Sequence, residues 1–117
     1  MFSAGRKPDA ALHFFVALII IILYYIYMIW NESKNRIEGT DEAGRVLAFV
    51  DFPGEETVTV TATFADESLR GQGIAGRMMQ MLHDKLEREG RKAVLVCSYA
   101  VKWYESHPEC GDVLERR

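Results

Sequence analysis

The chain has 117 residues, which is enough for one domain and too few for two. Its formal net charge of −3, without any run of Lys and Arg, excludes the usual signature of a nucleic-acid-binding protein, so no nucleic-acid partner is expected. The only two cysteines, Cys97 and Cys110, are too few for a disulfide framework and predict reduced thiols in a cytosol-like compartment.

A short N-terminal tail, residues 1–9, precedes an apolar stretch over residues 10–30 whose only strongly polar residue is His13. About 20 apolar residues in a helix span the roughly 30 Å hydrocarbon core of a bilayer. Tyrosines and Trp30 crowd one end of the stretch, as in an interfacial aromatic belt. A cleaved signal peptide would have a shorter apolar core, and a buried amphipathic helix would have a polar face. The sequence therefore predicts a transmembrane helix over residues 10–30, with membrane lipid as a partner.

Residues 31–35 are polar and are expected to form a juxtamembrane linker to a single domain over residues 36–117. Two turn sequences, GTDEAG and PGEE, flank residues 45–52, which are rich in β-forming residues. Residues 57–64 alternate between Thr and another residue, and this period of two predicts a strand. The first part of the domain is therefore expected to be a short antiparallel meander of three strands.

The next segment, RGQGIAGR over residues 70–77, places three glycines in front of a helical pattern. Apolar residues recur at helical spacing from Ile74 to Leu86, and Gly90 has the position of a helix C-terminal glycine. Free N–H groups and the macrodipole favour an anion at such a helix N-terminus. The glycine-rich segment therefore predicts a phosphate-binding loop.

A short apolar run over residues 93–96 predicts a strand buried on both faces. Ser98 can cap a second helix that ends before Pro108. The resulting order, β-β-β-loop-α-β-α, predicts an α+β (mixed α/β) fold with a partly antiparallel sheet.

Two familiar phosphate loops do not fit this segment. A Walker A loop needs a Lys followed by Ser or Thr after its glycines, and neither pair is present. The pattern GxGxxG fits literally, but a dinucleotide-binding unit has this motif after its first strand, whereas three strands come first here.

The loop resembles a different family. Arg70-x-x-Gly73-x-Ala75 matches the [RQ]xxGx[GA] signature of the GNAT N-acetyltransferases. The stretches TATFADESLRGQGIAGRMM and VCSYAVKWYESHPE are similar to a compact GNAT subfamily with a Cys-x-Tyr and a His-Pro-Glu motif. The resemblance covers about residues 36–115 and implies a GNAT-like fold. It also implies acetyl-CoA as co-substrate, no metal, and an unidentified amine as acetyl acceptor.

The resemblance also implies roles for individual residues. The backbone of Phe64 and Ala65 would bond to pantetheine, and Tyr104 would contact the cofactor. Tyr99 would be a catalytic acid for the departing CoA thiolate. The loop would hold the cofactor's phosphates through Arg70, Gly71, Gln72, Gly73, Ile74, Ala75 and Gly76.

Cys97 is the second expected catalytic residue, because it ends the buried strand just before a helix N-terminus that favours a thiolate. Cys97 would be either a nucleophile or a neighbour of the thioester. The alternative without a catalytic role is that Cys97 packs as a small apolar residue. Many subfamily members have a His-Thr pair where this chain has Ala62 and Thr63, so that histidine has no counterpart. A zinc site is not expected, because the His and Cys residues lack a closely spaced pair.

Charges flanking the apolar stretch are balanced and do not orient it. Because acetyl-CoA is cytosolic, a single-pass membrane protein with its C-terminal domain facing the cytosol is expected. Two functions stay open: a membrane-anchored acetyltransferase, and a non-catalytic CoA-binding or membrane-tethered regulatory module.

Overall fold

The strands and helices follow the chain order that the sequence patterns predict, with two additional strands. A computed structural model describes the backbone of residues 10–115, and it describes side chains in residues 11–20 and 28–115. The predicted tail over residues 1–9 lies outside the described residues. The elements are α1 (Ala10–Tyr27), β1 (Ile29–Glu32), β2 (Arg36–Thr40), β3 (Val46–Asp51), β4 (Thr57–Val60), β5 (Ala62–Ala65), α2 (Ile74–Glu89), β6 (Lys92–Leu95) and α3 (Ser98–Ser106).

Two short sheets make up the β layer. Strands β1, β2, β3 and β5 pair in that order, each antiparallel to its neighbour, while β4 pairs with β6 in parallel. A tight turn with Gly54 leads from β3 into β4. Its φ of +133° and the 2.3 Å between a Cβ built there and the Thr57 carbonyl oxygen exclude any other residue without a backbone shift. The predicted mixed α+β order, with a partly antiparallel sheet, is confirmed.

Helix α2 covers one face of the sheet and supplies much of the core. Its apolar face is fully buried and packs against β3 and β5. The helix ends at Gly90, whose backbone is left-handed (φ +65°) and whose N–H bonds to carbonyls of the last turn. The buried apolar side chains of α2 are Ile74, Met78, Met79, Leu82 and Leu86.

The predicted transmembrane helix is wrong. The stretch over residues 10–30 is not one continuous helix, because α1 ends at Tyr27 and Ile29 begins β1. The Met28 side chain is 6% exposed and belongs to the domain core, and Trp30 pairs with Gly39 of β2. The end of the apolar stretch is therefore used by the sheet. No helix in the part of the chain that the structure describes combines the length and the apolar character needed to cross a membrane. The expected single-pass membrane localisation, with a domain facing the cytosol, depended on that helix and is withdrawn with it.

The predicted single strand over residues 57–64 is broken at Thr61. The Thr61 N–H donates to the Asp51 carbonyl at 3.0 Å, and the alternation of faces is interrupted there. Val58 and Val60 are fully buried before the break, whereas Phe64 is 41% exposed after it. The period of two in the sequence continues through the break, so the sequence pattern alone could not show it.

Candidate active site

A gap between β5 and the end of β6 is the central feature of the candidate site. The Val60 carbonyl accepts from both Val96 N–H (3.1 Å) and Cys97 N–H (2.9 Å), and these are the last backbone bonds between β4 and the chain that follows β6. Beyond them β5 stays paired with β3, while Ser98 begins α3. The continuous segment of β4 and β5 is therefore joined to β6 as far as Val60 and separates from it beyond that residue. The separation leaves backbone groups of β5 available for a ligand.

Cys97 lies at the mouth of this gap. It is the N-cap residue of α3, with an extended backbone, and its side chain is only partly buried. Burial raises the pKa of the thiol, but hydrogen bonds from the Thr63 side chain and from the backbone N–H groups of Ala100, Tyr99 and Thr63 outweigh it, so the pKa lies below its ordinary value. The sulfur is therefore placed where a thiolate is stabilised by a helix N-terminus.

Thr63 is the residue that sequence reasoning left without a role. Its Oγ1 lies 3.4 Å from the Cys97 Sγ, across the gap between the diverging strands. The break at Thr61 causes this contact, because it turns Thr63 towards the face of the sheet that α2 covers. Thr63 shares that face with Val50, its buried partner on β3. The only sequence signal was the position itself, which matches the second residue of the subfamily's His-Thr pair.

The register of β5 with β3 determines which backbone groups face the gap. In an antiparallel pair, hydrogen-bonded residue pairs alternate with non-bonded ones. The Asp66 N–H donates to the Leu47 carbonyl at 2.7 Å, so the next bonded residue of β5 is Phe64. The backbone groups of Thr63 and Ala65 therefore point to the open edge. Of the two residues expected to bond pantetheine, Ala65 presents its backbone to the gap, whereas the backbone of Phe64 pairs with β3.

The glycine-rich loop forms the N-terminus of α2 beside this gap. Gly73 is the N-cap residue and provides no side-chain hydrogen bond, so the first N–H groups of the helix are left for an external acceptor. Gly71 and Gly73 have φ of +79° and +72°, and a Cβ at either would meet no atom within 4 Å. These two glycines are required for backbone conformation, and the loop leaves open space for a ligand.

Tyr99 lies at the same end of α2. A Cβ built at Gly76 would lie 3.7 Å from both the Tyr99 hydroxyl and the Trp103 Nε1, which places these two donors beside the first turn of the helix. Tyr99 is 38% exposed, and burial raises the pKa of its phenol. It therefore keeps its proton at neutral pH. Trp103 was not predicted as a site residue, because a tryptophan at helical spacing is ordinarily core.

Tyr104 lies apart from these groups. Its side chain is 4% exposed and contacts His83 and Trp103 edge to face, with ring centroids 6.2 and 5.0 Å apart. Burial, together with the negative charges of nearby groups, raises the pKa of its phenol. Neither its hydroxyl nor the His83 Nδ1 finds a hydrogen-bond partner among the described residues. The structure thus brings Cys97, Tyr99 and the loop together and leaves Tyr104 on the buried side of α3.

Cys110 belongs to the same buried region as Tyr104. It lies in a short 3₁₀ turn, Pro108–Val113, and is 5% exposed. Burial, followed by the nearby carboxylates, raises the pKa of its thiol. Within residues 10–115, no group of three or more His, Cys, Asp or Glu side chains is arranged to hold a metal ion.

Comparison with protein families gives one match that covers most of the domain. A family model described as GCN5-related N-acetyl-transferase matches residues 36–113, from β2 to the end of the 3₁₀ turn. None of the curated proteins searched for similarity matches the chain.

Solved structures with the same fold include three that bear on the site. A GCN5-like candidate N-acetyltransferase from Staphylococcus aureus has a TM-score of 0.64 at 17% identity, over 78% of this chain and 91% of that one. The GNAT family N-acetyltransferase YhbS from Escherichia coli, solved in complex with CoA, has a TM-score of 0.51 at 23% identity, over 74% of this chain and 49% of that one. The ribosomal-protein-S18-alanine N-acetyltransferase from E. coli has a TM-score of 0.52 at 19% identity, over 88% of this chain and 62% of that one. At these identities the likeness shows the fold. This chain spans about half the length of the CoA-bound relative.

Proposed function

The chain belongs to the GCN5-related N-acetyltransferase family, a family of acyltransferases, and we propose that it transfers the acetyl group of acetyl-CoA to an amine by way of Cys97. The observation that carries the proposal is the placement of the Cys97 sulfur at the mouth of the gap, with its pKa lowered by hydrogen bonds. The amine is not identified by any feature of the described residues.

Acetyl-CoA fits the arrangement of polar groups at this end of the domain. The free N–H groups at the start of α2 would bind the pyrophosphate, since they offer donors and a positive dipole end without a side-chain cap. The open edge of β5, with the backbone of Ala65, would bond to the pantetheine amides. The E. coli relative solved with CoA supports this ligand. These two contacts would lead the thioester along the gap towards Cys97.

The transfer follows from the chemistry of the two sulfurs. The Cys97 thiolate attacks the acetyl carbonyl carbon, a new S–C bond forms, and the bond from the carbon to the CoA sulfur breaks. The departing CoA thiolate takes a proton, for which the Tyr99 hydroxyl is the candidate donor because burial keeps it protonated. A neutral amine then attacks the acetyl carbon, loses a proton to solvent, and releases Cys97 as a thiolate.

The direct test is to add acetyl-CoA to the full-length protein without an acceptor. Intact-protein mass spectrometry with peptide mapping is expected to show one acetyl group on Cys97 and none on Cys110. A panel of amines added afterwards should remove the label and yield acetylated amine. If acetyl-CoA is turned over but Cys97 is never labelled, the amine attacks the thioester directly and the covalent step is wrong.

The second candidate function is a CoA-binding module without turnover. Among the described residues, a pocket of about 450 Å³ is lined by charged side chains near the start of β6, whereas Cys97 follows the end of that strand, so this pocket does not favour an amine beside the sulfur. Calorimetry that shows acetyl-CoA binding, together with no label and no acetylated amine across the panel, would establish this alternative. Loss of binding altogether would contradict both candidates.

A further inference from the structure

Thr63 contacts the Cys97 sulfur in two ways. Its hydroxyl lies 3.4 Å from the sulfur, and its backbone N–H also donates a hydrogen bond to the sulfur. The backbone N–H is available because Thr63 is at a non-bonded position of the β3–β5 ladder. Thr63 comes from β5, whereas the other donors to the sulfur, the N–H groups of Tyr99 and Ala100, come from α3.

We propose that Thr63 is a positioning residue for acetyl transfer, which holds the Cys97 sulfur across the gap and donates a hydrogen bond from its hydroxyl to the thiolate. The proposal rests on the proposed function for its role in transfer. The contact between Thr63 and Cys97 stands independently of it.

A threonine suits this position because its hydroxyl can reverse its role. With the thiol protonated, the S–H group donates to the Thr63 oxygen, and with the thiolate, the hydroxyl rotates and donates to sulfur. A hydrogen bond to a charged acceptor is stronger than one to a neutral acceptor, so the contact favours the thiolate. No charged side chain of the described residues contributes to the low pKa of Cys97, and Tyr99, the nearby titratable group on α3, stays neutral. Burial raises the pKa of Cys97, and among the groups that lower it the Thr63 hydroxyl is the one side chain, since the others are backbone N–H groups.

The experiment measures the rate of Cys97 alkylation by iodoacetamide as a function of pH, with peptide mapping, in the full-length protein without acetyl-CoA. Thr63→Val keeps the shape of the side chain and removes the hydroxyl. We expect its profile to move to higher pH by about one unit, which lowers the rate below the inflection by about tenfold. Thr63→Ser keeps the hydroxyl and should restore the wild-type profile.

Two controls separate this effect from a loss of structure. Thr59→Val makes the same change on β4, at a position whose side chain has no described hydrogen bond, and should leave the Cys97 profile unchanged. Cys110 is an internal control, because its buried thiol should stay slow to react in every folded variant.

The proposal is overturned if the Thr63→Val profile coincides with that of the wild type, or if Thr63→Ser behaves like Thr63→Val. Acetylation of Cys97 by acetyl-CoA is then measured in the same variants, and the rate of labelling should follow the alkylation profile. If alkylation shifts as expected but acetyl-CoA never labels wild-type Cys97, the covalent step fails while the contact between Thr63 and the thiolate stands.

Discussion

The two cysteines of this chain lie before and after α3, in surroundings that shift the pKa of the thiol in opposite directions. Cys97 is the N-cap residue of that helix, partly exposed, with four hydrogen-bonding groups that outweigh burial and lower its pKa. Cys110 follows the same helix, is 5% exposed, and has its pKa raised by burial and by nearby carboxylates. The same side chain is thus favoured as a thiolate at one end of the helix and as a small apolar group past the other.

The tyrosines show the same division. Tyr99 has its hydroxyl beside Gly76 at the start of α2, whereas Tyr104 has its hydroxyl in the core without a partner among the described residues. The open side of the domain, at the gap and the glycine-rich loop, therefore holds polar groups that are available to a ligand. The closed side, around His83, Tyr104 and Cys110, holds polar groups that are buried. Paired substitutions on the two sides test this division.

The largest expected effect comes from Cys97→Ala compared with Cys110→Ala. Cys97→Ala removes the proposed nucleophile and should lower acetyl transfer by roughly two orders of magnitude or more, with acetyl-CoA affinity nearly unchanged. Cys110→Ala should retain transfer. Acetylated amine is measured by mass spectrometry, and affinity by calorimetry. Full activity in the Cys97 variant would assign that residue to packing alone.

The next effect concerns acetyl-CoA binding by the loop. Gly73→Asp adds a negative charge where the phosphate would bind and should weaken affinity at least about tenfold, or about 1.4 kcal/mol. Gly44→Asp is the matched control, since Gly44 (φ +82°) and Gly73 (φ +72°) both have left-handed backbone and open space around them, but Gly44 lies in the β2–β3 turn. Calorimetry should show normal affinity for Gly44→Asp. Equal affinity in both folded variants would contradict the phosphate site.

A smaller effect is expected from removing one phenolic hydroxyl on each side. Tyr99→Phe should slow transfer by roughly fivefold to tenfold, less than a typical general acid contributes, because solvent reaches this half-exposed position and can supply the proton. Tyr104→Phe removes a buried hydroxyl without a described partner, so the rate should stay unchanged and the free energy of unfolding should not fall. Steady-state rates and urea denaturation measure both. A slower rate in the Tyr104 variant alone would exchange the two roles.

The smallest effect is on stability. Cys110→Ala leaves a small cavity in the core and should cost about 1 kcal/mol of unfolding free energy, whereas Cys97→Ala, at a partly exposed position, should cost less. Urea denaturation of both variants gives the two differences. An equal loss in both would mean that the Cys97 side chain is packed as firmly as that of Cys110.

The sequence by itself determined the elements whose signals are local. The helical spacing from Ile74 onwards and the C-terminal Gly90 predicted α2, with bounds that agree with the structure. The β-forming run and its turns predicted β3, and the short apolar run predicted the strand β6. The expected burial of that run on both faces is wrong, because Val94 and Leu95 are half-buried and Val96 is exposed. The glycine-rich loop was visible because positive φ and a helix N-terminus each leave a signature in residue type.

Only the tertiary structure decided which residues meet. Apolar character alone could not tell a helix that crosses a membrane from one that ends at Tyr27 and leads into β1, because Met28 and Trp30 are apolar in either setting. The break at Thr61 was hidden by an unbroken alternation, since a one-residue irregularity in a ladder depends on the pairing partner, here Asp51. That break turns Thr63 towards Cys97, 34 residues further along the chain. A contact of this kind has no local signature, because it depends on where two strands part.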